Sequence, residues 1–274
     1  MWTSRLRSEE GMKVFVMTDL EGATGVAGDW GDFNPGGREH DPARRMLTGD
    51  VNAAVQGAFE GGADKVVVLD GHGAAFSILL ESLDPRAQLI RGRRVLELEG
   101  LEESFDLMFG VAAHSMAGTP DGLLTHTLSH TGINNIWLND QLVGEIGLWA
   151  ALAGHYGVPL GLVTGDLAAV KEAQALLKGI EIVAVKEATS RFAARCLHPD
   201  VSWRMIREAA KKATTKAEAY KPFKPKVPME LRVEFHDSER TAKVVEKAGV
   251  MRVDGRTVSY TGNNILDIYN VLLH

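Results

Sequence analysis

The sequence predicts an α/β protein, a mostly parallel sheet flanked by helices, with a second, smaller α+β domain. Three observations predict it. Five short apolar runs alternate with segments of helical periodicity, the pattern of βαβ units. After about residue 190 the character changes to a basic amphipathic segment and a proline-spaced linker. The length, 274 residues, suits one large α/β domain or a main domain with a smaller companion, and is ample for a core.

In chain order, residues 14–18 are the first predicted strand, running into the stretch TDLEG. Residues 42–61 carry apolar positions at Met46, Val51, Ala54, Val55, Ala58 and Phe59, a helical spacing stopped by the glycines of EGGAD. Residues 65–69, 107–111, 159–164 and 182–186 are the remaining four apolar strands. Residues 144–156 and 166–178 read as helices, the second opened by Asp166 as N-cap. Residues 122–145 differ, reading as extended segments joined by short polar turns. Beyond 190, residues 201–217 form a basic amphipathic helix, and YKPFKPKVPMELRVEF leads through prolines into a strand. A helix over about 238–248, a strand at 257–260 and a C-terminal helix from Asn264 complete this part. The expected organisation is an N-terminal extension (1–11), a metal-binding α/β domain (12–190) and a smaller α+β domain (191–274). Met12 stands at the start of the first strand, so either it is the natural start or residues 1–11 are a loose extension.

Composition narrows the function. Hydrophobic residues at 45% and charged residues at 24% are ordinary for a soluble enzyme. A formal charge of −6 argues against nucleic acid or anionic membrane as partner. Cys196 is the single cysteine, which excludes an internal disulfide and a thiolate metal cluster and fits a cytoplasmic protein. No apolar run is long enough to span a bilayer, and the N-terminus lacks the apolar core of a signal peptide.

The chemistry gathers at strand ends. Asp19 and Glu21, two apart, share a face if the first strand runs on to Glu21. Asp70 and His72 follow the second strand in VVVLDGHGAAF, and His114 follows the third in LMFGVAAHSMAG. Ligands in open α/β sheets bind outside these carboxyl ends. Two carboxylates together are costly without a compensating cation. Singly, a D-x-E turn or a lone histidine is as readily structural. Three strands ending alike in imidazole and carboxylate point to zinc or a similar divalent ion. Glu145 opens a helix, where its charge also suits the dipole. His126 and His130, in GLLTHTLSH, share a parity within alternating Thr and Leu that reads as a strand rather than a helical zinc pair. Asp70 and Asp166 either orient a ligand histidine or close a turn, the structural reading being favoured for both. His40, His155, His198, His236 and His274 have no ligand motif and are expected at the surface or in packing.

TDLEG, DGHG, the histidine of AAHSMAGTPDG, the THT histidine and NDQLVGEIG occur in this order, joined later by AVKEATSR and CLHP. From Met12 onward the chain resembles the M55 metallopeptidases, a family of D-aminopeptidases. The resemblance implies a two-zinc aminopeptidase for short peptides with an N-terminal D-amino acid. It implies metal ligands at Asp19, Glu21, His72, His114 and Glu145, with Asp19 bridging, and a catalytic role for His126. It also implies a homo-oligomer, a ring-shaped decamer being the form of the family. AGTPDG carries one residue more than the family pattern, and DGHG has glycine where serine is common; both bear on substrate choice. Two metal ions holding a hydroxide between them and polarising a carbonyl suffice for amide hydrolysis, with a histidine near pKa 6.5 to move the proton.

A binuclear phosphoesterase would use similar ligands, but its D-x-H, G-D-x-x-D and G-N-H string is not assembled; TGDLAAV has no second aspartate. A peptide-binding protein without activity has no need of five such ligands. No G-x-G-x-x-G follows the first strand, which argues against a dinucleotide fold.

Overall fold

The computed structural model describes residues 11–273. Residues 1–10 of the expected extension, and His274, lie outside the described residues. The strands are β1 (Lys13–Thr18), β2 (Lys65–Asp70), β3 (Gln88–Ile90), β4 (Leu107–Ala113), β5 (Ile133–Leu138) and β6 (Gln141–Leu142). They continue with β7 (Leu160–Asp166), β8 (Glu181–Ser190), β9 (Ala193–Cys196), β10 (Met229–Phe235), β11 (Met251–Arg252) and β12 (Thr257–Gly262). The helices are α1 (Trp30–Phe33), α2 (His40–Glu60), α3 (Glu145–His155) and α4 (Leu167–Leu176). After them come α5 (Pro199–Thr215), α6 (Ser238–Val244) and α7 (Ile265–Leu273).

The larger sheet has the order β3-β2-β1-β4-β7-β8-β9. It is parallel except for β9, which returns antiparallel beside β8. The fold class read from the sequence is therefore the one observed. All five apolar runs are strands of this sheet, and β1 shows why they are so uniformly apolar. Val14 and Val16 belong to the core shared with α2 and α5, while Phe15 and Met17 belong to the core shared with α3 and the smaller sheet. A strand covered on both faces has no polar side to alternate with. Burying each such side chain contributes about 1.5–3 kcal/mol.

The smaller sheet, order β11-β12-β10-β5-β6, is antiparallel. The two sheets do not part the chain at residue 190. Residues 133–142 supply β5 and β6 to the smaller sheet, and β9 and α5, from beyond 190, stay with the larger one. The basic amphipathic helix marks a change of layer, because its buried residues Ile206, Ala210 and Ala213 share a core with Leu47 and Val51 of α2. The contact is close: a Cβ on Gly57 would lie 2.2 Å from the Arg207 carbonyl oxygen. Among the described residues, no helix is long and apolar enough to cross a membrane.

Candidate metal centre

The strand order places β1 between β2 and β4. His72 therefore follows the strand on one side of Asp19 and His114 the strand on the other. β1 does not run on to Glu21, as the shared-face reading required; it ends at Thr18. Asp19 still donates its N–H to the Val111 carbonyl at 3.0 Å, and the chain then turns. Gly22 permits that turn: a Cβ there would sit 2.1 Å from the Ala113 carbonyl oxygen, so only glycine lets the loop lie against the end of β4. β4 bends at the same level. Its register against β7 shifts between Gly110 and Ala113, and Ala112 takes φ 62° while donating its N–H to Thr164 Oγ1 at 3.0 Å. The irregularity re-aims the chain just before His114.

The five residues expected as ligands come together. Asp19 Oδ1 lies 3.1 Å from His72 Nδ1, which is also 3.1 Å from Glu21 Oε2. Asp19 Oδ2 lies 3.1 Å from His114 Nε2, which is 3.1 Å from Glu145 Oε1. The two Asp19 oxygens thus face two separate sets of partners. Asp19 Oδ2, Glu21 Oε2 and His114 Nε2 are buried with no hydrogen-bond partner among the described residues. Nitrogen and oxygen atoms this close without hydrogen-bond geometry are what ligands of one ion look like. Tetrahedral bonds of 2.0–2.1 Å set ligand atoms about 3.3 Å apart. Three carboxylates and neutral imidazoles form a donor set suited to two zinc-like dications, so the residues fit the metals the family resemblance implies.

Neighbouring groups fix the ring tautomers. His114 Nδ1 is 3.0 Å from the Ser115 carbonyl oxygen and so carries its proton there, leaving the Nε2 lone pair facing Asp19 and Glu145. His126 does likewise, with Nδ1 donating to the Leu124 carbonyl at 2.9 Å. Glu145, at the first position of α3, accepts the Leu128 N–H at 2.7 Å, which ties the helix start to the loop bearing His126. Among the protein groups, burial works against the charge of Asp19, but His114 and His72 outweigh it and hold its carboxyl well below the usual range. Both histidines are correspondingly raised well above theirs, burial opposing and the carboxylates prevailing.

His126 lies in an irregular loop, not the expected strand. Residues 122–132 contain no strand, and Leu124 and Leu128 take φ 51° and 58°, which breaks the alternation. The loop is pinned instead by Asp166, whose Oδ1 caps α4 through the Ala169 N–H while Oδ2 accepts the Leu123 N–H at 3.3 Å. The His126 ring stacks on His114 at 3.8 Å between centroids and 15° between planes. Burial, and after it the electrostatic effect of His114, lowers the His126 pKa. His126 Nε2 or Nδ1 also comes within 4.8 Å of ligand atoms of His114 and Glu145, so geometry alone permits it as a ligand. His130 is not in that cluster; it stacks on Trp30 at 4.2 Å, and Trp30 packs perpendicular to His126 at 5.0 Å. Asp70 closes a turn through the Ile78 N–H at 2.9 Å. His155, His198 and His236 are exposed and His40 is half-buried.

Sequence reading missed the support beneath the acidic turn. Lys186 is buried, and its Nζ donates to the carbonyls of Glu21, Ala23 and Val26 at 2.5, 2.7 and 2.6 Å. Burial pushes its pKa down to about 8. The AVKEATSR motif contained it, but nothing local shows which carbonyls a lysine will reach. Asp50 of α2 accepts the Thr24 N–H at 2.8 Å and the Trp203 indole N–H at 3.0 Å. Burial raises the Asp50 carboxyl to about 6. Between about pH 4 and 6 the folded chain therefore binds more protons at Asp50 than the unfolded chain does. Its share of stability is present below that window and is lost as pH rises through about 6. Urea unfolding at pH 4.5 and 6.5 is expected to show an Asp50-dependent fall of about 2 kcal/mol. Asp50→Asn should flatten it; an unchanged slope in the variant would remove Asp50 as the cause.

Comparison with known proteins returns one family. The Peptidase M55 family, described as D-aminopeptidase, matches residues 12–274. The chain is 31% identical over 265 residues to the D-aminopeptidase of Bacillus subtilis (strain 168), covering 96% of each sequence. Among solved structures it is similar to the Zn-dependent D-aminopeptidase DppA from Bacillus subtilis, described as a self-compartmentalizing protease. That match has a TM-score of 0.90, 32% identity and 96% coverage of both chains.

Proposed function

The chain belongs to the M55 family of D-aminopeptidases, and from that membership we propose a two-zinc aminopeptidase that hydrolyses short peptides bearing an N-terminal D-amino acid, D-alanyl peptides especially. The observation that carries the reading is the double aspect of Asp19, one oxygen toward His72 and the other toward His114, beside buried atoms that no protein donor satisfies. In this reading Asp19 would serve both ions, with Glu21 and His72 holding one and His114 and Glu145 the other. When bound, such a pair of ions supplies hydroxide near neutral pH and polarises the scissile carbonyl.

The remaining work falls to the chain. Ser115 and Leu128 hold His114 and Glu145 in the orientation needed, the first through its carbonyl and the second through its N–H. His126, neutral and with Nε2 free, accepts a proton during attack and returns it to the leaving amine. Trp30, its ring perpendicular to that of His126 at 5.0 Å between centroids, restricts the imidazole's rotation. The likeness to a self-compartmentalizing protease supports a homo-oligomer, with a ring-shaped decamer as the form proposed. The single cysteine, Cys196, unpaired and exposed, supports a cytoplasmic setting.

One experiment tests the function. Zinc-loaded protein is assayed against D-Ala-D-Ala, L-Ala-L-Ala and a phosphodiester, with zinc measured per chain. The expected result is two ions per chain and cleavage of the D,D peptide in preference to its L,L counterpart, with the phosphodiester untouched. Cleavage of the phosphodiester alone would make the protein a phosphoesterase. No turnover after zinc, cobalt or manganese would leave a binding protein. In the same assay His126→Ala is expected to keep both ions while kcat falls about 10²–10³-fold. Loss of zinc in that variant would instead make His126 a ligand.

A further inference from the structure

The cavity that includes the candidate metal ligands, about 440 Å³, has further charged residues in its wall. Asp19, Glu21, His72, His126 and Glu145 line one part of it, and Arg94, Glu97 and Tyr269 are also in its wall. Its volume lies in the range of small-ligand sites. Arg94 is the one guanidinium among the described lining residues, in a wall that also holds Asp19, Glu21, Glu97 and Glu145.

Arg94 is held but not used up. Its side chain is 17% exposed, and Nη2 stands 3.9 Å from Glu97 Oε2, beyond hydrogen-bond distance. Nη1 is buried without a hydrogen-bond partner among the described residues. Glu97, by contrast, is engaged: Trp149 donates its indole N–H to Oε1 at 3.2 Å, and the Tyr269 hydroxyl also bonds it. Burial, opposed by Arg94, raises the Glu97 carboxyl. An arginine in a cavity wall, part of its side chain still exposed and its nearest acid beyond hydrogen-bond distance, can take up a planar anion, and its fork matches a carboxylate.

We propose that Arg94 is a specificity-determining residue that binds the C-terminal carboxylate of a short peptide whose N-terminal end lies at the metal centre. This rests on the peptidase reading above and deepens it: the cavity would measure substrate by its two ends, and peptides too long to place a carboxylate at Arg94 would lose that contact. The acidic Asp19, Glu21 and Glu145 would repel such a carboxylate, which favours its placement at the guanidinium and orients the peptide.

The test compares D-Ala-D-Ala with D-Ala-D-Ala amide, using zinc-loaded wild type, Arg94→Gln and Arg94→Lys. Wild type is expected to favour the free acid by about 10–100-fold in kcat/KM, mostly through KM. Arg94→Gln should lose that preference by falling on the acid alone, with the amide unchanged; Arg94→Lys should keep part of it. Equal wild-type rates on acid and amide would overturn the proposal. So would an equal drop on both substrates in Arg94→Gln, which would show that Arg94 only supports Glu97. If wild type cleaves neither peptide, the peptidase reading itself has failed, and calorimetric titration of the same proteins with acid and amide decides Arg94 separately. Tighter binding of the acid that vanishes in Arg94→Gln supports the carboxylate site; no preference rejects it.

Discussion

Asp19→Ala is expected to strip bound zinc from the protein and to lower peptide hydrolysis by more than ~10⁴-fold, the largest catalytic effect of any single substitution here. The reason is that, in the proposed centre, one side chain would serve both halves. Oδ1 lies against His72, Oδ2 lies against His114, and the Leu20 N–H fixes the carboxylate by donating to Oδ1 at 2.8 Å. Removing His72 or His114 singly should cost mainly one ion, because each imidazole faces one side of Asp19. Removing Asp19 takes a ligand from both. Metal analysis after dialysis, alongside turnover, separates the cases: loss of both ions in Asp19→Ala and about one in His72→Ala or His114→Ala. Two retained ions and near-normal turnover in Asp19→Ala would end the bridging assignment. Near-ultraviolet circular dichroism should stay native, since the loop after Asp19 is held by Lys186 and Asp50 rather than by the carboxylate.

Lys186→Met is expected to destabilise the protein by about 3–5 kcal/mol and to weaken zinc binding without touching a ligand. The ammonium ties together carbonyls from Glu21, Ala23 and Val26, the loop that leaves the acidic turn. Ala23 O also accepts the Val26 N–H, but Glu21 O and Val26 O would each lose a charged donor in a buried place. Methionine fills much of the volume, so the cost is one of unmet hydrogen bonds rather than of a cavity. In a chain of this size such a loss lowers the melting temperature by roughly 10 °C. Thermal melts with and without zinc check it, and zinc titration shows whether Glu21 has drifted. A melting temperature and zinc affinity equal to wild type would show that the loop holds its shape without the lysine.

Much of the fold and of the site was legible in the sequence, for a physical reason. A parallel strand covered on both faces announces itself as a short apolar run, and its carboxyl end is where polar chemistry has to begin. TDLEG, DGHG and AAHS each carried a ligand type at that point, and helix α3 opened on Glu145. The larger errors came where periodicity misleads. The alternation in GLLTHTLSH promised a strand, but left-handed residues at Leu124 and Leu128 make it a loop fixed by Asp166 and Glu145. The change in character near residue 190 marked a new layer, while residues 133–142 crossed into the smaller sheet.

By itself, then, the sequence determined the strands, the layer helices and the residue types gathered at three adjacent strand ends, because those are encoded within short windows. The tertiary structure alone decided what those residues face. It set His72 and His114 on opposite sides of Asp19, drew Lys186 under a loop 160 and more positions away in the chain, and brought Arg94, Glu97 and Tyr269 into one cavity wall with Glu145. Such contacts join segments with no common period or motif, and only packing chooses among the partners that local chemistry would allow.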